Sequence, residues 1–150
     1  TDLTITQTHV GDAGASALAA ALGKGALLRL KYLALTLAAI GDAGLVALAP
    51  ALRQLPALEW LSLGVNPIGD KGLAALVAPL SPAGAPPTTT AGLAKLKELN
   101  LRYTQITDAG CATLAAAPDS GALPALKCLN LNGIPASAAA RATVRRAALL

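Results

Sequence analysis

The chain has no phenylalanine and no methionine, and only three aromatic residues: Tyr32, Trp60 and Tyr103. Its core must therefore be aliphatic, built from the Leu and Ala that supply most of a 54% apolar composition. Histidine occurs once, as His9, and cysteine twice, as Cys111 and Cys128. Two Cys and one His cannot close a four-ligand zinc site. One His in a turn offers no Ser–His–Asp or Cys–His arrangement. Gly23-Lys24-Gly25 is not a phosphate-binding loop, because no Gly lies five residues before it and no hydroxyl follows Lys24. No catalytic residue, metal site or cofactor is assigned, and the chain is not read as an enzyme.

The same scarcity bounds the setting. Two scattered thiols argue against a disulfide framework and for a reducing compartment, so a cytoplasmic location is expected. The start of the chain has no basic-then-apolar segment like a signal peptide. The longest uncharged stretch, 72–94, is broken by Pro79, Pro82, Pro86 and Pro87, so no membrane helix is expected. The net charge of +4 is mild. Arg141, Arg145 and Arg146 form its one cluster, read as the favourably charged second half of a helix. With no stacking aromatics nearby it is a weak nucleic-acid footprint, and no nucleic-acid partner is expected.

What the chain has in abundance is a repeated unit. Val10-Gly-Asp-Ala-Gly14, Ile40-Gly-Asp-Ala-Gly44, Ile68-Gly-Asp-Lys-Gly72 and Ile106-Thr-Asp-Ala-Gly110 follow one another in steps of 30, 28 and 38 residues. A period of this size marks a solenoid whose units contact only their neighbours. Seven and five residues before each anchor stand Leu3/Ile5, Leu33/Leu35, Leu61/Leu63 and Leu99/Leu101, preceded by Leu30, Leu58 and Leu96. This L-x-x-L-x-L spacing is a short strand with alternate residues buried. After the anchor, apolar positions at plus five, plus eight and plus twelve (Leu45, Leu48 and Leu52 in the second unit) trace one helix face. A fifth unit carries Leu126, Leu129 and Leu131, with Ile134 as its expected anchor after a turn two residues shorter. Helices are expected near 12–22, 42–53, 70–79, 108–117 and 136–148.

The pattern resembles the leucine-rich repeats, and among them the ribonuclease-inhibitor-like class, whose repeat of about 28 residues has room for a full helix. The resemblance implies an α/β horseshoe with parallel strands on the concave face and helices on the convex face. It covers the chain as a single domain of about five repeats, near 1–29, 30–57, 58–95, 96–125 and 126–150. The family's turn Asn falls at Asn66, while Thr8, Ala38 and Thr104 stand at the equivalent positions. Thr can do part of that residue's work and Ala38 none. Such repeats occur in ribonuclease inhibitors, in the sensor domains of NOD-like receptors and in Ran GTPase-activating proteins. The implied function is a protein-binding scaffold, with a regulator of GTP hydrolysis as the alternative and recognition of a small ligand as a weaker third.

Asp12, Asp42, Asp70 and Asp108 each precede a helical pattern and are read as caps for that helix rather than metal ligands. Gly14, Gly44, Gly72 and Gly110 are read as allowing close backbone packing. The 38-residue step contains an insertion within 81–92, read as a loop on the helix-to-strand rim. Its sharper reading is a binding finger or a modification site at Thr88–Thr90. The lack of a polar cap beside Leu3 and Ile5 leads us to expect further repeats of a longer horseshoe, or pairing through that edge.

Residues between the buried leucines face the other side of the sheet. The repeat alignment writes three rows there: Asp2, Tyr32, Trp60, Glu98, Cys128; then Thr4, Ala34, Ser62, Asn100, Asn130; then Thr6, Thr36, Gly64, Arg102, Asn132. The aromatics Tyr32 and Trp60 share a row and Tyr103 lies just past the fourth strand. Either aromatic alone could simply cover an Ala-rich sheet, but the pair favours an interface. The candidate partner-binding residues are Tyr32, Trp60, Ser62, Glu98, Asn100, Arg102, Tyr103 and Asn130. The register itself is testable. Leu35, Leu63 and Leu101 should be fully buried, and Leu63→Ala should cost about 2–5 kcal/mol in urea unfolding; a loss below about 0.5 kcal/mol would show the register to be wrong.

Overall fold

The computed structural model describes residues 1–77, 93–117 and 123–147. Five three-residue strands alternate with five helices: β1 (Asp2–Thr4), α1 (Gly11–Gly23), β2 (Tyr32–Ala34), α2 (Asp42–Leu52), β3 (Trp60–Ser62), α3 (Asp70–Val77), β4 (Glu98–Asn100), α4 (Asp108–Ala116), β5 (Cys128–Asn130) and α5 (Ala138–Ala147). The strands form one parallel sheet in chain order. Leu3, Leu33, Leu61, Leu99 and Leu129 are partners along it, in register. Helices pack in sequence order, each on the next. Each strand begins one residue earlier than a strand centred on the two leucines would. The inserted segment 81–92, with Thr88–Thr90, lies outside the described residues.

The core is the inward ladder of these units. Leu33, Leu35, Leu61, Leu63 and Leu101 are fully buried, as are the anchors Ile40, Ile68 and Ile106. Burying one such side chain stabilises by about 1.5–3 kcal/mol. At the two ends of the sheet Leu3, Ile5 and Leu129 are only partly covered.

The aspartates behave differently from the sequence expectation. Each carboxylate caps the helix of the following repeat, not its own. Asp12 Oδ1 accepts the N–H groups of Gly41 (2.7 Å) and Gly44 (3.0 Å) at the start of α2. Asp42 Oδ1 accepts those of Gly69 (2.8 Å) and Gly72 (2.9 Å) at the start of α3. Asp70 accepts from the N–H and hydroxyl of Thr107, and Asp108 from the N–H of Ser137. Otherwise orphaned helix N–H groups and the positive end of the helix dipole thus meet a carboxylate from the neighbouring unit. The glycines at 44, 72 and 110 are explained by the same contact: a Cβ on Gly72 would lie 2.8 Å from Asp42 Oδ1, whereas at Gly14 the obstruction is Val10. At the equivalent position α5 has Ala140, whose N–H instead takes Ser137 Oγ of its own repeat at 3.1 Å.

This capping also fixes the fifth repeat. Ser137 aligns with Gly41, Gly69 and Thr107, so the buried Ala136 is the anchor. Ile134 falls at the Asn66 position, and the turn has full length, contrary to the shorter turn expected.

The Asn66 side chain is buried and fully engaged. Its Oδ1 accepts the N–H groups of Ala38 (2.9 Å) and Ile40 (3.2 Å). Its amide donates to the carbonyls of Leu35 (2.6 Å) and Leu63 (3.0 Å). Asn66 therefore serves two turns, which is how Ala38 manages without a polar side chain. Thr104 closes its own turn by donating to Leu101 O at 2.8 Å. Just before these positions every repeat takes a left-handed residue: Gln7, Leu37, Val65, Tyr103 and Gly133, with φ between 51° and 71°. The first four donate their N–H groups to the next repeat, extending the ladder past the strands.

The carboxylate and the glycine form a coupled pair. Asp42→Ala should lower stability by about 0.5–2 kcal/mol. Gly72→Ala should also destabilise, but by less in the Asp42→Ala background, where the obstructing oxygen is gone. Chemical denaturation of the double-mutant cycle checks this; additive losses would contradict the contact.

Candidate functional site

The three outward rows differ sharply in openness. In the first, Tyr32 is 48% exposed, Glu98 and Cys128 are exposed and Trp60 is half-buried. The Tyr32 and Trp60 rings stand side by side, centroids 6.4 Å apart and planes inclined at 45°. Backbone pairing puts them there, since Tyr32, Trp60, Glu98 and Cys128 are successive partners across the sheet.

The second row is largely closed. Ala34 is buried, and Ser62, expected on the binding surface, is only 2% exposed. Its hydroxyl is hydrogen-bonded to that of Thr36 at 2.9 Å. The mechanism is lateral pairing of small polar side chains, which removes Ser62 from any partner. Asn100 and Asn130 are half-buried, and each side-chain oxygen accepts the N–H two residues on, from Arg102 and Asn132 (both 3.1 Å). In the third row Arg102 is exposed, and its side-chain Cγ lies over Gly64. Tyr103 is 61% exposed and its ring covers Gly133, leaving no room there for a Cβ. The structure thus brings Tyr32, Trp60 and Glu98 together, and places Arg102 and Tyr103 at the far end of the strands.

Sequence reasoning missed how the charges are sorted. The helices run back from strand end to strand start, so all four capping aspartates lie on the strand-end rim. The loops leading into the strands carry the cations: Lys24, Arg29 and Lys31 before β2, Arg53 before β3, Lys95 and Lys97 before β4, and Lys127 before β5. Among the described residues of these loops Glu59 is the one acid; Asp119 lies outside them. Lys97 Nζ meets Glu59 Oε2 at 2.6 Å. The hydrogen bond from Lys97 holds the Glu59 carboxyl below its usual range, helped by Lys31 and Lys95, and the same bond raises the Lys97 ammonium. Both shifts favour the charged forms. The pair therefore adds stability between the two titrations, lost as acid protonates Glu59 or alkali deprotonates Lys97. Lys24 and Arg53 occupy the C-caps of α1 and α2, where a cation suits the helix dipole. Burial pushes the Arg53 guanidinium below its usual value.

On the opposite rim an open hollow of about 370 Å³ is lined by Gln7, Thr8, His9, Leu37, Ala39 and Val65. It is broad and mainly apolar, not a deep pocket with convergent polar groups. His9 is exposed in its turn. Among the described residues no three His, Cys, Asp or Glu side chains converge as metal ligands, and no helix is long and apolar enough to cross a membrane.

The Leucine Rich repeat family signature matches residues 30–49, 56–77 and 92–115. These matches, together with five strands in one parallel sheet alternating with five helices, define the fold as a leucine-rich-repeat solenoid. The chain thus carries leucine-rich repeats, and such repeats generally mediate protein–protein interaction and are typically non-enzymatic scaffolds. No curated protein matches the chain.

The two thiols offer a direct check on this geometry. Cys128 is exposed on the first row, whereas Cys111 is buried in α4, where burial raises its thiol above the usual value. Iodoacetamide at neutral pH should alkylate Cys128 in the native protein and leave Cys111 unmodified until unfolding, as read by mass spectrometry.

Proposed function

We propose that this protein is a binding scaffold that holds a protein partner on the outer face of its sheet, which the repeat class makes concave. The Tyr32–Trp60 pair carries the reading: a large aromatic surface placed on the sheet face turned away from the helices. Aromatic anchors of this kind supply most of the energy of many interfaces. Glu98 adds a polar neighbour, with Arg102, Tyr103, Asn100 and Asn130 as an outer contribution. The ribonuclease-inhibitor-like class is supported by repeats that hold helices of up to 13 residues. Unpaired cysteines fit the cytoplasm as its place of work. In the alternative reading, as a GTPase-activating regulator, the protein would accelerate hydrolysis by a Ran-type GTPase, and such an acceleration would overturn the scaffold reading.

Trp60→Ala is the decisive variant. Because Trp60 is half-buried, its loss should lower stability by about 1 kcal/mol, less than the 3–5 of a core aromatic. Retention of a partner in an affinity pull-down should fall by tenfold or more, as expected for an anchor worth about 2 kcal/mol. Wild-type partner capture by a folded Trp60→Ala chain would sink the proposal.

A further inference from the structure

The strand-start rim presents more positive charge than the fold itself uses. Lys31, Glu59, Lys97 and Lys127 are lateral neighbours, joined by backbone bonds from Glu59 N to Lys31 O (2.9 Å), Lys97 N to Glu59 O (2.8 Å) and Lys127 N to Lys97 O (2.8 Å). Adjacent chains of a sheet lie about 4.8 Å apart, so this is a continuous stripe. Among the described residues Glu59 forms its ion pair with Lys97. Lys31, Lys95 and Lys127 are exposed and make no side-chain hydrogen bond or ion pair among the described residues. The helix dipole does not account for them, since they stand at the strand starts, beyond the last helical turns where Lys24 and Arg53 sit. The exposed Tyr32 and the half-buried Trp60 follow directly in sequence, Tyr32 after Lys31 and Trp60 after Glu59.

We propose that this rim, with Lys31, Lys95 and Lys127 beside Tyr32 and Trp60, docks an acidic protein segment that carries an apolar side chain. The assignment rests on the concave-face reading and adds the chemistry of the partner. Carboxylates answer the stripe of ammonium groups, and the apolar side chain covers the aromatic pair. Charge complementarity of this kind steers encounter and selects partners. A nucleic acid suits the site less well. Glu59 and Glu98 stand among the lysines, where a continuous phosphate backbone would meet them. The two rings are inclined at 45°, not stacked as a platform for bases.

The test uses the whole chain and a fluorescein-labelled peptide of alternating Asp and Glu around a central Leu-Phe, read by fluorescence anisotropy. Binding should weaken with added salt. Reversing two exposed cations, Lys31→Glu with Lys127→Glu, should weaken it about tenfold. Lys71→Glu, on the opposite rim, should leave it unchanged. If charge reversal lowers the thermal midpoint, the neutral pair Lys31→Gln with Lys127→Gln takes its place. The proposal fails if the wild type does not bind the peptide, if an Asn/Gln version binds equally, if the lysine variants bind as the wild type does, or if oligothymidylate of equal charge binds more tightly. Trp60→Ala separates the two readings. Loss of binding with Trp60→Ala but not with the lysine variants removes the acidic partner and keeps the aromatic face. The reverse result keeps the basic rim and removes the aromatic anchor.

Discussion

One carboxylate reaching forward by one repeat organises this molecule. Asp12, Asp42, Asp70 and Asp108 each leave their own helix and neutralise the exposed start of the next. At Gly44, Gly72 and Gly110 that oxygen occupies the space a Cβ would take. Helix start and helix packing are thereby tied to one contact, so the helix start of each of these later units is completed by its predecessor. α1 starts differently from the helices that follow. Val10 at its N-cap is helical, Gly11 turns to φ 62°, and no side chain caps it, whereas Gly41 and Thr107 are extended.

The two rims divide the charges. Aspartates cap the helix starts on one rim and Lys24 and Arg53 end helices on the other, where further lysines at the strand starts add charge that the helix ends do not use. The aromatic pair belongs to the basic end, since Tyr32 and Trp60 open their strands. Further along the strands the small polar side chains satisfy one another, as Ser62 and Thr36 do.

The fold was legible because its signals are local and periodic. Leu33, Leu35, Leu61 and Leu63 announce their burial by spacing alone, and the repeated anchor sets the phase of each helix. What spacing could not convey was which repeat a polar group serves. Asp42 looks like the cap of α2 in the sequence and is the cap of α3 in space. Asn66 reads as one turn's residue and holds two. The fifth anchor was misplaced because Ile134 is the more hydrophobic residue, while Ala136 has the correct distance from Leu129. On the outer face, row membership was correct, but openness depends on lateral hydrogen bonds between residues 26 positions apart, which hid Ser62.

The forward reach of the aspartates gives the chain a direction in time as well as in space. On a ribosome the N-terminal unit emerges first. Asp12 is therefore already in place when Gly41 and Gly44 appear, and Asp42 when Gly69 and Gly72 follow. Each nascent helix meets a waiting acceptor at the moment its nucleus, the costly step of helix formation, must form. Growth can thus proceed one unit at a time along the order of synthesis.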